Sequence, residues 1–204
     1  CSDYLTTGSL SKKFEEEISK ITGAKFVVSC SSGTAALHLV SMALDLGPED
    51  VVVIPSITFV ATANAPRLVG AEIVFADVDE KTGIMDIQHF EDALRRAGEK
   101  CKAVFLVHLG GQGANLKEIY RLANSKGIFV IEDASHAIGS KYDTLNELTP
   151  IGGSKYSDAT IFSFHAIKTI TTGEGGAVAT NSPKIANQLY MLRNNGITRD
   201  PSFI

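Results

Sequence analysis

The sequence predicts an α/β domain with a mostly parallel central sheet and helices on both faces. Three observations predict it. Short apolar runs alternate with helical-period segments of about ten to fifteen residues, the signature of βαβ units. The apolar runs are continuous rather than alternating, as strands covered on both faces require. The chain has 204 residues, 44% hydrophobic and 21% charged, enough for one sizeable core of ordinary globular composition.

The elements follow in order. Leu10, Phe14, Ile18 and Ile21 share one helical face after a candidate N-cap at Ser9. KFVVS (25–29) reads as a strand, and SGTAALHLVSMAL (32–44) as a helix stopped by Gly47-Pro48. VVVI (51–54) is a buried strand, and TFVATANAPRLV (58–69) a helix that its internal proline should bend or end. EIVFADV (72–78) is a strand and DIQHFEDALRRA (86–97) a helix. KAVFLVHL (102–109) is a strand, NLKEIYRLANSKG (115–127) a glycine-stopped helix, and IFVIED (128–133) a strand. ATIFSF (159–164) and GAVAT (176–180) are strands, and PKIANQLYMLRNNG (183–196) a closing helix with Pro near its start and Gly at its end. The stretch 140–158 reads as a long polar loop, functional or mobile.

A net charge of −4 leaves no electrostatic footprint for nucleic acid or an anionic membrane. Runs such as VVVIP are too short to span a bilayer, and CSDYLTTGSL lacks a signal-peptide pattern. Cys1, Cys30 and Cys101 are an odd set without metal-ligand spacing. Free thiols in a reducing cytosol are the expectation, with no metal, nucleic-acid or membrane partner.

Ligands of such sheets bind beyond the carboxyl ends of the strands, and four features fall there. In CSSGTAAL (30–37), Gly33 allows close backbone approach and Thr34 adds a hydroxyl at a helix start, which together suit a phosphate. Taken alone, that stretch is better explained as a plain N-cap with a packing glycine. In VIEDASHA (130–137), Glu132 and Asp133 end an apolar strand, where a carboxylate needs a cation or donors. Asp133 could meet a protonated ring nitrogen or cap a helix, and His136 follows one short turn later. In TFVATANA, Phe59 at a helix start could stack on a flat ring or simply pack in the core. In SFHAIKTITTGEGG (163–176), Ser163 precedes Lys168, and Thr171 and Thr172 offer hydroxyls to an anion. A lysine there can form a Schiff base with a bound carbonyl cofactor, or be an ordinary loop lysine.

Taken in order, SSGTAALHL, TFVATANA, EDASHA, FSFHAIK and ITTGEGG closely resemble the DegT/DnrJ/EryC1/StrS family of sugar-nucleotide aminotransferases, over essentially the whole chain. YLTTG (4–8), SKYSDATIFSFH (154–165) and GITRDP (196–201) are similar to the branch that serves pseudaminic acid biosynthesis. The resemblance implies the large domain of a fold type I transferase that uses pyridoxal 5′-phosphate. By it, Lys168 is the cofactor-linking lysine and Asp133 the partner of the pyridine nitrogen. His136 lies by the ring's phenolic oxygen, and Phe59 stacks on the ring. Gly33, Thr34 and Ser163 contact the phosphate. The substrates it implies are L-glutamate and a nucleotide-linked 4-keto sugar, in the closest branch a UDP-4-keto-6-deoxy-N-acetylhexosamine. A cytoplasmic homodimer is implied as well.

The chain departs from the family pattern at Asn194-Asn195, where a histidine often precedes the glycine, at Ser135 for the usual alanine, and at Ala166 for a common proline. Residues 1–22 are expected to form an N-terminal segment and helix, and 23–204 the cofactor domain. The smaller C-terminal domain of family members is expected to be missing, as in a piece of a longer protein. Two other readings stay open: an aminotransferase for another nucleotide, such as a dTDP-sugar, and a non-catalytic structural or activating partner. A dehydratase of the same fold, with histidine for the lysine, is opposed by Lys168.

Overall fold

The computed structural model describes residues 8–143 and 148–197. Cys1 and parts of YLTTG and GITRDP lie outside the described residues, as do 144–147 within the long loop. Helix α1 (Ser9–Thr22) leads into β1 (Phe26–Cys30), α2 (Gly33–Ala43), β2 (Val51–Pro55), α3 (Ala61–Leu68) and β3 (Glu72–Ala76). There follow α4 (Ile87–Ala97), β4 (Cys101–Val107), α5 (Leu116–Ser125) and β5 (Phe129–Asp133). The chain continues through β6 (Lys141–Asp143), β7 (Leu148–Pro150), β8 (Ala159–Ser163), β9 (Gly176–Thr180) and α6 (Pro183–Arg193).

Seven strands form one sheet in the order β1-β9-β8-β5-β4-β2-β3. Strand β9 is antiparallel to both neighbours, and the other pairings are parallel. The strands alternate sides with period two. Val28, Val52, Ile54, Phe105, Ile131 and Val178 face a core completed by α2, α3 and α6. Val53, Val104, Leu106 and Val130 face the opposite way, against Phe90 of α4 and Ile119 of α5. Ile18 of α1 packs on that side with Val27, Phe162 and Ala179. This three-layer arrangement explains the unbroken apolar strands of the sheet interior, such as β2 and β8; at the edge, β3 leaves Glu72 and Phe75 exposed.

The structure departs from the sequence expectations in four places. Gly8, not Ser9, takes the N-cap position of α1, because the Ser11 N–H already bonds the Gly8 carbonyl. Of the expected apolar face, Ile18 is buried and Phe14 packs on the core, whereas Leu10 is 75% exposed and Ile21 43%. Helix α3 begins at Ala61 rather than Thr58, since Thr62 and Ala63 close only three-residue turns onto Phe59 and Val60. Pro66 sits inside it and the helix ends at Leu68. The long loop is partly ordered as the antiparallel β6–β7 hairpin, a pairing too short to register as strand periodicity.

Parallel pairing brings the carboxyl ends of β2, β4, β5 and β8 to one end of the sheet. There, antiparallel β9 begins at Gly176, in register with Cys30 of β1 on one side and Ser163 of β8 on the other.

Candidate active site

A cavity of about 570 Å³ opens at that end of the sheet. Its lining includes Gly33, Thr34, Phe59, Asp133, His136, Ser163 and Lys168, at least one residue from each of the four stretches, but not Glu132, Thr171 or Thr172.

One wall is the start of α2. The Ser32 hydroxyl accepts from the Ala35 N–H, capping the helix and leaving earlier N–H groups directed at the cavity end. Gly33 is required by close packing: a Cβ there would lie 2.8 Å from Ser163 Cβ and 3.1 Å from its Oγ. Gly176 is equally constrained, because a Cβ would collide with the Ser32 carbonyl oxygen. The helix start, Ser163 and the β9 start are therefore packed backbone to backbone. No bulk intrudes on the donors, which is the form of an anion cradle.

The cavity floor carries Asp133, only 5% exposed. Its Oδ2 accepts from Thr62 Oγ1 at 2.7 Å, and its Oδ1 from the Ser135 hydroxyl at 2.7 Å and the Ser135 N–H at 3.2 Å. No helix follows Asp133, so it caps none; the chain turns instead. A carboxylate oxygen can accept two bonds, and Oδ2 has one capacity left.

Directly beneath, Glu132 points the other way, as strand alternation demands, and is fully buried. The donors its position called for are present: Ser157 Oγ at 2.5 Å, Thr160 Oγ1 at 2.9 Å and His108 Nε2 at 2.8 Å. The Ala114 N–H donates to His108 Nδ1, so the ring proton sits on Nε2 and goes to Glu132. Sequence reasoning missed His108, Thr58 and Thr62. The signal for His108 was its place at the end of β4 before a glycine cluster; for the threonines, their spacing around Phe59.

His136 is exposed at the cavity, its Nδ1 3.4 Å from the Gly110 N–H. Desolvation, and then the Lys168 charge, hold its ring below the ordinary histidine range, while Asp133 pulls the other way. Phe59 is 70% exposed in the loop before α3, so it presents a ring to the cavity rather than filling the core.

Lys168 is half-buried in the turn after β8, its N–H bonded to the His165 carbonyl. Among the described residues its amino group makes no hydrogen bond or ion pair. The threonines beside it behave differently from expectation. Thr171 Oγ1 donates to the Phe164 carbonyl and Thr172 Oγ1 to that of Glu174. Their protons close the turn instead of facing an anion; the Phe164 carbonyl accepts from the Thr172 N–H as well.

A family model, described as the DegT/DnrJ/EryC1/StrS aminotransferase family, matches residues 1–203. The chain belongs to that family. An uncharacterized protein of Methanocaldococcus jannaschii is 40% identical over 199 residues, which cover 98% of this chain and 49% of that protein. A candidate sugar aminotransferase from Streptococcus pneumoniae, solved in its PMP form, superposes with a TM-score of 0.88 at 30% identity, over 98% of this chain and 53% of that one. Helicobacter pylori PseC, an aminotransferase involved in the biosynthesis of pseudaminic acid, matches with a TM-score of 0.86 at 31% identity, over 100% of this chain and 53% of that one. This DegT/DnrJ/EryC1/StrS family chain thus spans about half the length of the relatives it matches.

Proposed function

We propose that this chain is the cofactor-binding part of a pyridoxal-phosphate aminotransferase that moves an amino group from L-glutamate to C4 of a nucleotide-linked keto sugar. The observation that carries the reading is the convergence, in one cavity, of an unpaired lysine, a nearly buried carboxylate and a glycine-lined helix start. The family supports the reaction class, and the Streptococcus pneumoniae relative is described in PLP and PMP forms. The residues fit the cofactor. The start of α2 with Gly33, Thr34 and Ser163 would hold a phosphate, the free capacity of Asp133 Oδ2 would accept from a pyridinium, and exposed Phe59 would cover a ring. Lys168 would anchor the carbonyl.

Bound there, the cofactor supplies an electrophilic carbonyl and an electron sink. The protein's own work is binding, orientation and proton handling. Asp133 would keep a proton on the ring nitrogen by charge and hydrogen bonding. The amino group of Lys168 would serve to carry a proton at the reacting carbon. His136, at the cavity wall, would help orient the ring. Residues 23–204 form the cofactor domain and 1–22 its N-terminal segment and helix, with a smaller C-terminal domain and a second copy completing the site in the whole protein.

The finer reading is the UDP-4-keto-6-deoxy-N-acetylhexosamine of the pseudaminic acid route, that is, the role of UDP-4-amino-4,6-dideoxy-N-acetyl-β-L-altrosamine transaminase. Similarity to PseC supports it. The class is tested by adding pyridoxal phosphate to the full-length protein, reducing with borohydride and mapping the adduct by mass spectrometry. An adduct at Lys168 is expected; none there overturns the reading and favours a non-catalytic partner. UDP- and dTDP-4-keto sugars offered with glutamate decide the nucleotide, and preference for a dTDP-sugar removes the pseudaminic acid assignment alone.

A further inference from the structure

We propose that Thr62, backed by Thr58, is a positioning residue that aims the Asp133 carboxylate and couples it to the loop bearing Phe59. The inference rests on the reading of Asp133 as the partner of the cofactor ring.

Thr62 is fully buried near the start of α3, and its Oγ1 donates to Asp133 Oδ2 at 2.7 Å, across 71 residues of sequence. Thr62 lies in the first turn of α3, where the carbonyl four residues back, that of Thr58, is outside the helix. A buried hydroxyl deeper in a helix ordinarily satisfies itself on that carbonyl. This protein does so elsewhere: Thr22 donates to the Ile18 carbonyl and Ser41 to that of Leu37, each at 2.8 Å. Thr62 sends its one proton to the carboxylate instead.

Thr58 Oγ1 lies 2.8 Å from Thr62 Oγ1, and either could donate if the pair stood alone. The proton of Thr62 is already committed to Asp133, so Thr58 must be the donor. The chain of bonds therefore runs Thr58 to Thr62 to Asp133. Thr58 and Phe59 both line the cavity, so the same few atoms that seat the loop also hold the carboxylate. Ser135 occupies the opposite oxygen with two bonds, 2.7 and 3.2 Å long. Gripped from both sides, the carboxylate cannot rotate, and its one free acceptor position on Oδ2 keeps a fixed direction. Preorganised geometry of this kind is what lets a charged partner act without reorganising during reaction.

The test uses the full-length enzyme with the substitutions Thr62→Val, which keeps shape and removes the hydroxyl, Thr62→Ser, Thr58→Val and Asp133→Asn. T62V is expected to lower kcat of the glutamate half-reaction by at least about tenfold, the worth of one hydrogen bond to a charged group, with KM nearly unchanged. It should also shift the pH midpoint of the cofactor absorbance band. In cofactor-free protein it should move the 13C resonance of the Asp133 carboxyl. T62S should restore all three, and T58V should change kcat in the same direction by a smaller factor. Wild-type kcat and spectra in T62V, with Asp133→Asn impaired, overturn the proposal and leave the role of Asp133 standing. Unchanged cofactor spectra in Asp133→Asn overturn the underlying reading itself. If T62V does not fold, T58V carries the test, and wild-type kcat in T58V refutes the relay.

Discussion

His108 Nε2 and Glu132 Oε2 lie 2.8 Å apart with both side chains fully buried, so the ends of β4 and β5 are joined by a polar bond under the candidate active-site cavity. Glu132→Ala would strand His108, Ser157 and Thr160 without their acceptor. Each buried donor left unsatisfied costs about 1–3 kcal/mol. Urea unfolding followed by circular dichroism measures it, and a loss under about 1 kcal/mol would show that water or rearrangement satisfies those donors.

Gly33→Ala places a Cβ 2.8 Å from Ser163 Cβ, inside the closest approach side chains tolerate. The start of α2 and the end of β8 must then separate. The expected cost is about 1–3 kcal/mol of stability, as for overpacking in general, together with at least a tenfold weaker retention of pyridoxal phosphate on dialysis, about the worth of one charge-assisted bond. Unaltered retention would remove Gly33 from the phosphate cradle.

His136 should titrate below the ordinary histidine range of about 6.5, because desolvation and then Lys168 disfavour its charged ring. The unfolded chain binds the proton more readily, so stability from this residue is present above about pH 6.5 and is lost as pH falls through the folded midpoint. Imidazole proton resonances followed from pH 4 to 8 in the cofactor-free protein report the midpoint. Lys168→Ala should move it up and Asp133→Asn down; a shift of the opposite sign in either variant contradicts this electrostatic arrangement.

Cys30 and Cys101 are free, and burial pushes both thiols up to about 11. At pH 8 the thiolate fraction is then about a hundredfold below that of an exposed cysteine. Native protein should react with a thiol reagent at these two positions at least that much more slowly than urea-unfolded protein. Peptide mapping of the labelled sites separates them from Cys1.

Much of the fold was legible because burial leaves a local record. Val51 to Ile54 read as a strand buried on both faces, and all four are buried. GAVAT was bounded correctly because glycine and a threonine–asparagine turn punctuate it. The polar clusters were less legible. Thr171 and Thr172 carried the right chemistry for an anion, yet the turn's own carbonyls claim their protons. Leu10 and Ile21 matched a helical apolar face, but α1 packs on the core through Phe14 and Ile18 and reaches β1 through Glu15.

By itself the sequence determined the alternation of strands and helices, the glycines at the cavity wall, and the identities of Lys168 and Asp133 at strand ends. Periodicity and turn chemistry act within a few residues, so these follow from neighbours in the chain. Tertiary structure alone decided who bonds to whom across the site. Strand order sets β5 between β4 and β8, which hands Glu132 to His108 and Thr160. The packing of α3 over the sheet end hands Asp133 to Thr62. Such partners are far apart in sequence, and a hydroxyl or an imidazole has several acceptors it could serve. Only the assembled layers choose among them.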